Sequence, residues 1–431
     1  MGRKIVKIFL FVLKPERVFE KEQAMMRKKE EKREARKKDE YSNHRRKTSR
    51  KALPKKKRRR GSRKKRILTA VLAALPATVA VVLIVFTAAY LSGRAKILSA
   101  VQRGVPDAGL LTDQEAAEEL RLKAGLETVQ WQEDWVAIDG KVYSYDSNRI
   151  NLLVLGVDKK GKMDREPDYE KWLSGQTDAI FVVSINPTDK SVSVIGVPRN
   201  SMTNVDVYDS EEHISRTIFD QICLQYPYAG GAGHGLEKTK EAVSKLLYNL
   251  PIHGAVAVGY EAMSRINDMA GGVDVVALES LTTPFGSYEK GENLHLEGKY
   301  VLAYVKSRDI SVIGSPTMRL ARQKQYLTAL AGKMKDKVKE NPMVVKEMYD
   351  AVAGYVNTDI GIDEMVYLAA QAAGYKFSGE DIRLLEGDDK AVPIVKDGKE
   401  TGDFYDDLYL DEGNLKETMI KVFYKEVKLG G

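Results

Sequence analysis

The sequence predicts an α/β protein carried on one membrane-spanning helix behind a basic tail. Three observations predict it. Charge is split sharply along the chain, and an uncharged stretch sits at the split. Beyond that stretch, apolar strand-like runs alternate with amphipathic helical ones.

Residues 1–66 hold 29 Lys and Arg against 8 Asp and Glu, a net of +21. The remainder holds 40 against 53, a net of −13, so the overall charge of +8 conceals two chemically different objects. Between them runs ILTAVLAALPATVAVVLIVFTAAYLSG, Ile67 to Gly93, without a charge. At about 1.5 Å per residue it exceeds the roughly 30 Å of a bilayer's hydrocarbon core. It is too long and too far along the chain for a secretory signal, and Pro76 is tolerated in a spanning helix. The cluster KALPKKKRRRGSRKKR precedes it and only Arg94 and Lys96 follow closely, which predicts a single pass with a cytoplasmic N-terminus and an extracellular C-terminal domain. The tail, residues 1–66, reads as disordered or helical and is expected to rest on anionic membrane lipid. It has no interleaved aromatics and no helix-turn-helix pattern, so nucleic acid is not an expected partner. Cys223 is the only cysteine, which excludes a small module stapled by disulfides.

Residues 94–149 read as an extracellular stalk with a small accessory element. TDQEAAEELRLKAG has Thr112 and Glu115 at capping-box spacing, and WVAIDGKVYSYD reads as a hairpin turning at Asp139-Gly140. The region 150–340 is the main domain. INLLVLGVD is a continuous apolar run, as in a strand buried on both faces, and AIFVVSIN and SVSVIGVP follow as two more strands around the turn NPTDK. LEKTKEAVSKLLYNL puts Leu236, Ala242, Val243, Leu246, Leu247 and Leu250 on one helical face. The strand AVAVGY, the helix YEAMSRINDMA closed by Gly271-Gly272, and the strand VDVVAL complete the alternation. Residues 341–431 are expected to be an extension packed on this domain.

The strand ends carry the chemistry. Asp158 closes the first strand, Asp178 precedes the second and Arg199 closes the third. AYVKSRD supplies Lys306 and Arg308, which an extended backbone would place on one side. The helix MRLARQKQYLTALAGKMK carries Arg319, Arg322, Gln323 and Tyr326 on one face, beside an apolar stripe of Leu320, Leu327, Leu330 and Met334. Two carboxylates converging with several cations are what a divalent metal and a diphosphate require. Mg²⁺ takes one or two carboxylates and completes its octahedron with phosphate oxygens and water, while guanidiniums grip phosphate bidentately. GGAGHG, Gly230 to Gly235, reads as a flexible loop. The five histidines lack metal-ligand spacing, and neither a G-x-S-x-G elbow nor an H-E-x-x-H pair is present. Serine-hydrolase and zinc-protease chemistries therefore have no support.

In their order, NLLVLGVD, GQTDAIFVVSINPTDKSVSVIGVPRN, YAGGAGHGLEKTKEAVSKLL, INDMAGGVDV, LEGKYVLAYVKSRD and MRLARQKQ resemble the LytR-CpsA-Psr family of cell-wall enzymes. The resemblance implies a three-layer fold, a mostly parallel sheet flanked by helices. It implies a phosphotransferase that moves a glycopolymer from a polyprenyl-pyrophosphate carrier to a peptidoglycan sugar hydroxyl, with a pyrophosphatase side activity. Carried over residue by residue, Asp158 and Asp178 would hold Mg²⁺, and Asp158 and Arg199 would be catalytic. Arg199, Lys306, Arg308 and Arg319 would bind the pyrophosphate, supported by Arg322 and Gln323. The chain departs from the family pattern at Gln176, where arginine is usual, at Asn200, where aspartate is usual, and at Lys306, where an arginine is usual. Ser315-Pro316-Thr317-Met318 replaces an acidic pair and a glycine. Those departures keep open a non-catalytic binder of lipid-linked cell-wall intermediates, and the tail keeps open a membrane-tethered regulator.

Overall fold

The computed structural model describes residues 87–101, 104–123, 131–170, 175–341, 343–372, 374–396 and 399–428. The tail and residues 67–86 of the expected span lie outside them. Among the described residues no helix is long and apolar enough to cross a membrane. The last part of the expected span lies in a helix over 87–101. That helix packs on the helix Ile362–Ala372: Ile97 and Val101 are buried there, Tyr90 meets Tyr367 edge-on, and Lys96 pairs with Asp363 at 2.8 Å.

The central sheet has six strands. In chain order these are β1 (Ile150–Val157), β2 (Thr177–Asn186), β3 (Ser191–Val197), β4 (Gly254–Val258), β5 (Val356–Thr358) and β6 (Ile382–Leu384). Their spatial order is β5-β4-β1-β2-β3-β6. β1 with β4 and β3 with β6 are parallel, while β5–β4, β1–β2 and β2–β3 are antiparallel. The sheet is therefore mixed, and the expectation of a mostly parallel sheet is corrected. For β2 and β3 the cause is connection length: the short turn NPTDK can only return the chain antiparallel, because a parallel return needs a crossover of a dozen residues or so.

Helices cover both faces. Leu153, Leu155, Ile180, Val182, Ile195 and Val197 form one core with Leu236 and Val243 of the helix Ala232–Leu246 and Met419, Val422 and Phe423 of the helix Glu412–Phe423. On the other face Val154, Phe181, Val183 and Val194 meet Leu320 and Leu327 of the helix Ser315–Glu340. This is the side-chain alternation of a strand buried on both faces.

Several boundaries differ from the sequence reading. The hairpin Trp135–Tyr145 turns at Asp139 (φ 50°) and Gly140 (φ 70°), as expected for paired left-handed residues. Its second strand then pairs with Tyr424–Glu426 near the C-terminus, and Val136 and Tyr145 join the main core, so residues 131–149 do not stand apart as a stalk. The C-terminal extension supplies both edge strands of the sheet, β5 and β6, so the domain continues past residue 340. In GGAGHG the helix already begins at Ala232. Gly235 is helical and packs so closely that a Cβ there would meet the Tyr226 carbonyl oxygen at 2.6 Å, which makes the motif a close packing contact and not a loose loop. Asp113, not Thr112, accepts a backbone N–H at the start of the helix Gln114–Lys123, since Thr112 closes a preceding short turn of helix. The strand Val273–Val276 pairs only with Asn293–Leu296, outside the main sheet.

Candidate active site

The site lies where the C-terminal ends of β1 and β4 and the N-terminal end of β2 meet. β3 runs antiparallel to β2, so its end delivers Arg199 to the same edge. Asp178 owes its position to a bulge. Gly156 of β1 pairs with Ala179 and Val157 pairs with Thr177, so Asp178 is a surplus residue between paired neighbours. Bulges kink a strand and re-aim a side chain, commonly beside active sites.

Asp178 is nearly buried, and its Oδ1 lies 3.4 Å from Arg199 Nη1 and 3.3 Å from Arg319 Nη1. Its other oxygen accepts from the Tyr260 hydroxyl at 3.4 Å. Asp158 also acts on that phenol, so both aspartates expected to share a metal stand near it. Burial, then the bonds and charge of these carboxylates, pushes the Tyr260 hydroxyl far above the ordinary tyrosine range, so it stays a donor. Tyr260 stands at the start of the helix after β4, at a position that sequence reasoning passed over as an ordinary first helical residue.

The cations divide into two groups. Arg199 donates through Nη2 to Gln176 and to the Cys223 sulfur at 2.8 Å, but its buried Nε has no partner among the described residues. Arg319 is only 3% exposed, and its Nη2 is likewise buried without a partner among the described residues. Burial and the nearby guanidiniums of Arg199, Arg308 and Arg322 push Arg319 down to about 10 despite Asp178 beside it. It remains charged at neutral pH. Arg308 is lowered too, first by burial and then by Arg199, and it donates to Ser315 Oγ at 3.0 Å. Arg199 and Arg319 share the Asp178 carboxylate, Arg308 stands close to Arg199, and donors are left over, which is the electrostatic signature of an anion site.

The remaining cations are engaged elsewhere. Arg322, 1% exposed, spends Nε on Glu279 at 2.9 Å and its terminal nitrogens on the Tyr304 and Ser307 carbonyls. Gln323 donates to the carbonyls of Asp178 and Val305, both at 3.2 Å. These two side chains brace the residues that face the anion site. Lys306 is the last residue of a helix, Lys299–Lys306, so the extended segment expected there is corrected. Its ammonium turns away from Arg308 to Asp158 at 3.2 Å, over the Tyr260 ring at 4.3 Å. The apolar spacing VLAYV fits a helical face that buries Val301, Tyr304 and Val305.

Among the described residues no cluster of three or more His, Cys, Asp or Glu could hold a metal. Two carboxylates near one phenol, beside guanidinium donors suited to phosphate, are a donor set of the kind Mg²⁺ uses, since it takes most of its ligands from phosphate and water. Next to Arg308 opens a cleft of about 470 Å³ lined by Glu279, Ser280, Thr282, Ser287 and Tyr288.

The profile of the LytR_cpsA_psr family matches residues 113–392, more than half of the chain. The chain belongs to that family. The polyisoprenyl-teichoic acid–peptidoglycan teichoic acid transferase TagU of Oceanobacillus iheyensis is 25% identical over 231 residues, 53% of this chain and 64% of its own length. The enzyme of the same name from Bacillus anthracis is 25% identical over 239 residues, 55% of this chain and 69% of its own. Among solved structures, B. subtilis TagV is similar with a TM-score of 0.46 and 22% identity, across 64% of this chain and 96% of that one. In this LytR_cpsA_psr chain most of the last β-hairpin, Gly387–Leu410, lies beyond the family match, yet it reaches the site: Asn200 Nδ2 donates to the Asp406 carbonyl at 2.9 Å. Sequence reasoning missed this hairpin because the contact spans 206 residues and no local pattern announces it.

Proposed function

We propose that this protein is a membrane-anchored phosphotransferase of the outer surface, moving a glycopolymer from a polyprenyl-pyrophosphate carrier to a peptidoglycan sugar hydroxyl. One observation carries the reading: Arg199 and Arg319 share the Asp178 carboxylate with Arg308 close by, and two buried guanidinium nitrogens are unpartnered among the described residues. Buried donors without acceptors are costly, and an incoming diphosphate would supply them. The names of the TagU relatives fit the same chemistry, and the uncharged stretch 67–93 fits the anchor.

In this reading the three arginines bind the diphosphate and offset the charge that builds as the acceptor oxygen attacks phosphorus and the polyprenyl phosphate departs. Asp158 and Asp178 would hold Mg²⁺, which when bound neutralises phosphate charge. Tyr260 holds Asp178 through its hydroxyl, and the Lys306 ammonium holds Asp158 in place. Arg322 fixes the carbonyls that flank Lys306, and so sets where Arg308 leaves the backbone. The cleft beside Arg308, where Ser280, Thr282 and Ser287 stand among Leu281, Val312 and Met318, would take the part of the substrate next to the diphosphate.

The test uses the full chain in detergent with a polyprenyl-pyrophosphate-linked oligosaccharide and peptidoglycan fragments, with and without a chelator. Transfer should require divalent metal, and Asp158→Ala or Arg199→Ala should lower it at least about tens-fold. Full activity in both variants would reject the assignment. Tight binding that never turns over, with metal and acceptor present, would favour the non-catalytic binder instead.

A further inference from the structure

The C-terminal hairpin places two facing carboxyls, Asp389 and Asp406, at the rim of this site. Asp406 is 7% exposed, and its Oδ2 accepts the Gly314 N–H at 2.9 Å. Asp389 reaches the same point: its Oδ2 lies 3.2 Å from where a Cβ of Gly314 would stand. Burial raises both above the ordinary carboxylate range. The charged groups facing them are Arg308, toward Asp406, and Asp388, toward Asp389; Asn200 Nδ2 lies 3.5 Å from Asp389.

Residue 406 therefore touches each piece of backbone that carries a phosphate-facing arginine. Its carbonyl accepts from Asn200, the neighbour of Arg199, and Leu408 N–H donates back to the Asn200 carbonyl at 2.9 Å. Its carboxylate holds Gly314, immediately before the helix that bears Arg319, and its charge faces Arg308.

We propose that Asp406 is a positioning residue for the arginine cluster, so that the strand of the hairpin beyond the family match is part of the binding site. The inference rests on the diphosphate reading above. The Asp406 carboxylate fixes Gly314 and its carbonyl fixes Asn200, which holds the backbone beside Arg199 and the start of the Arg319 helix at one separation.

The experiment measures affinity of the full chain in detergent for farnesyl pyrophosphate, together with thermal midpoints. Asp406→Ala should weaken binding about tenfold or more, because small displacements of charged groups are costly at such sites. Asp406→Asn keeps an oxygen for the Gly314 N–H and should retain most of the affinity. A folded Asp406→Ala protein with undiminished affinity overturns the proposal, and so does an Asp406→Asn protein as weak as Asp406→Ala. If Asp406→Ala does not fold, Asn200→Ala cuts the other end of the bridge, and undiminished affinity there overturns the proposal. Arg199→Ala separates the two levels. If it binds normally, the diphosphate reading itself fails; if it loses binding while the Asp406 and Asn200 variants keep it, only the role of the hairpin fails.

Discussion

Two helices pack on opposite faces of the same sheet, and they bury opposite kinds of surface. Ala232–Leu246 turns Leu236, Ala242 and Val243 inward and leaves its charges in solvent. Ser315–Glu340 turns Arg319, Arg322, Gln323 and Tyr326 inward, each less than 7% exposed, while Leu327 and Leu330 are only partly buried. The first arrangement stabilises the fold through apolar burial. The second gives up apolar burial to hold guanidiniums where water cannot screen them. Burial on one face serves stability, and on the other it serves charge.

The sharpest way to break this comparison is Arg319→Ala. Transfer activity should fall about 10²–10³-fold, as for loss of a preorganised donor. The thermal midpoint should hold or rise, because Asp178 keeps Arg199 and an under-partnered buried cation is gone. A large loss of stability with activity intact would reverse the roles. On the opposite face, Leu236→Ala should cost about 2–5 kcal/mol in denaturant unfolding while the protein that remains folded turns over normally.

His253 probes the far edge of the sheet, where its Nδ1 accepts the Asn151 N–H at 2.9 Å. Burial pushes this histidine down to about 4, so it is neutral in the fold. Its contribution is complete above the unfolded value near 6.5 and is lost as pH falls toward 4, on the order of 3 kcal/mol in all. Urea midpoints between pH 7 and pH 4 should fall more steeply for the natural chain than for a His253→Gln variant. The smallest effect belongs to Gly140→Ala in the Asp139-Gly140 turn. At a φ of 70° it should cost about 1 kcal/mol in thermal unfolding and nothing in activity.

The same contrast explains what could be read from the sequence. β1, β2, β3 and the helix Ala232–Leu246 were legible because apolar periodicity reports burial directly. Asp158, Asp178, Arg199 and Arg319 were legible because charge at the end of an apolar run has no other easy use. Tyr260 and Cys223 carried no such mark: a tyrosine opening a helix and a cysteine in a buried turn look like packing. Lys306 was misplaced because a short helix and an extended segment share the apolar run that precedes it. The antiparallel pairings and the hairpin acids depend on where distant segments meet, which one-dimensional patterns do not encode.

The surplus residue at the start of β2 has a consequence for how this edge can change over generations. Pairing resumes at Thr177 on one side and Ala179 on the other, so position 178 belongs to no ladder. Exchange there would leave the ladder pairs on either side in register but would strip Arg199 and Arg319 of the carboxylate they share. Selection at that point therefore acts on the charge of the rim and not on the weave of the strands.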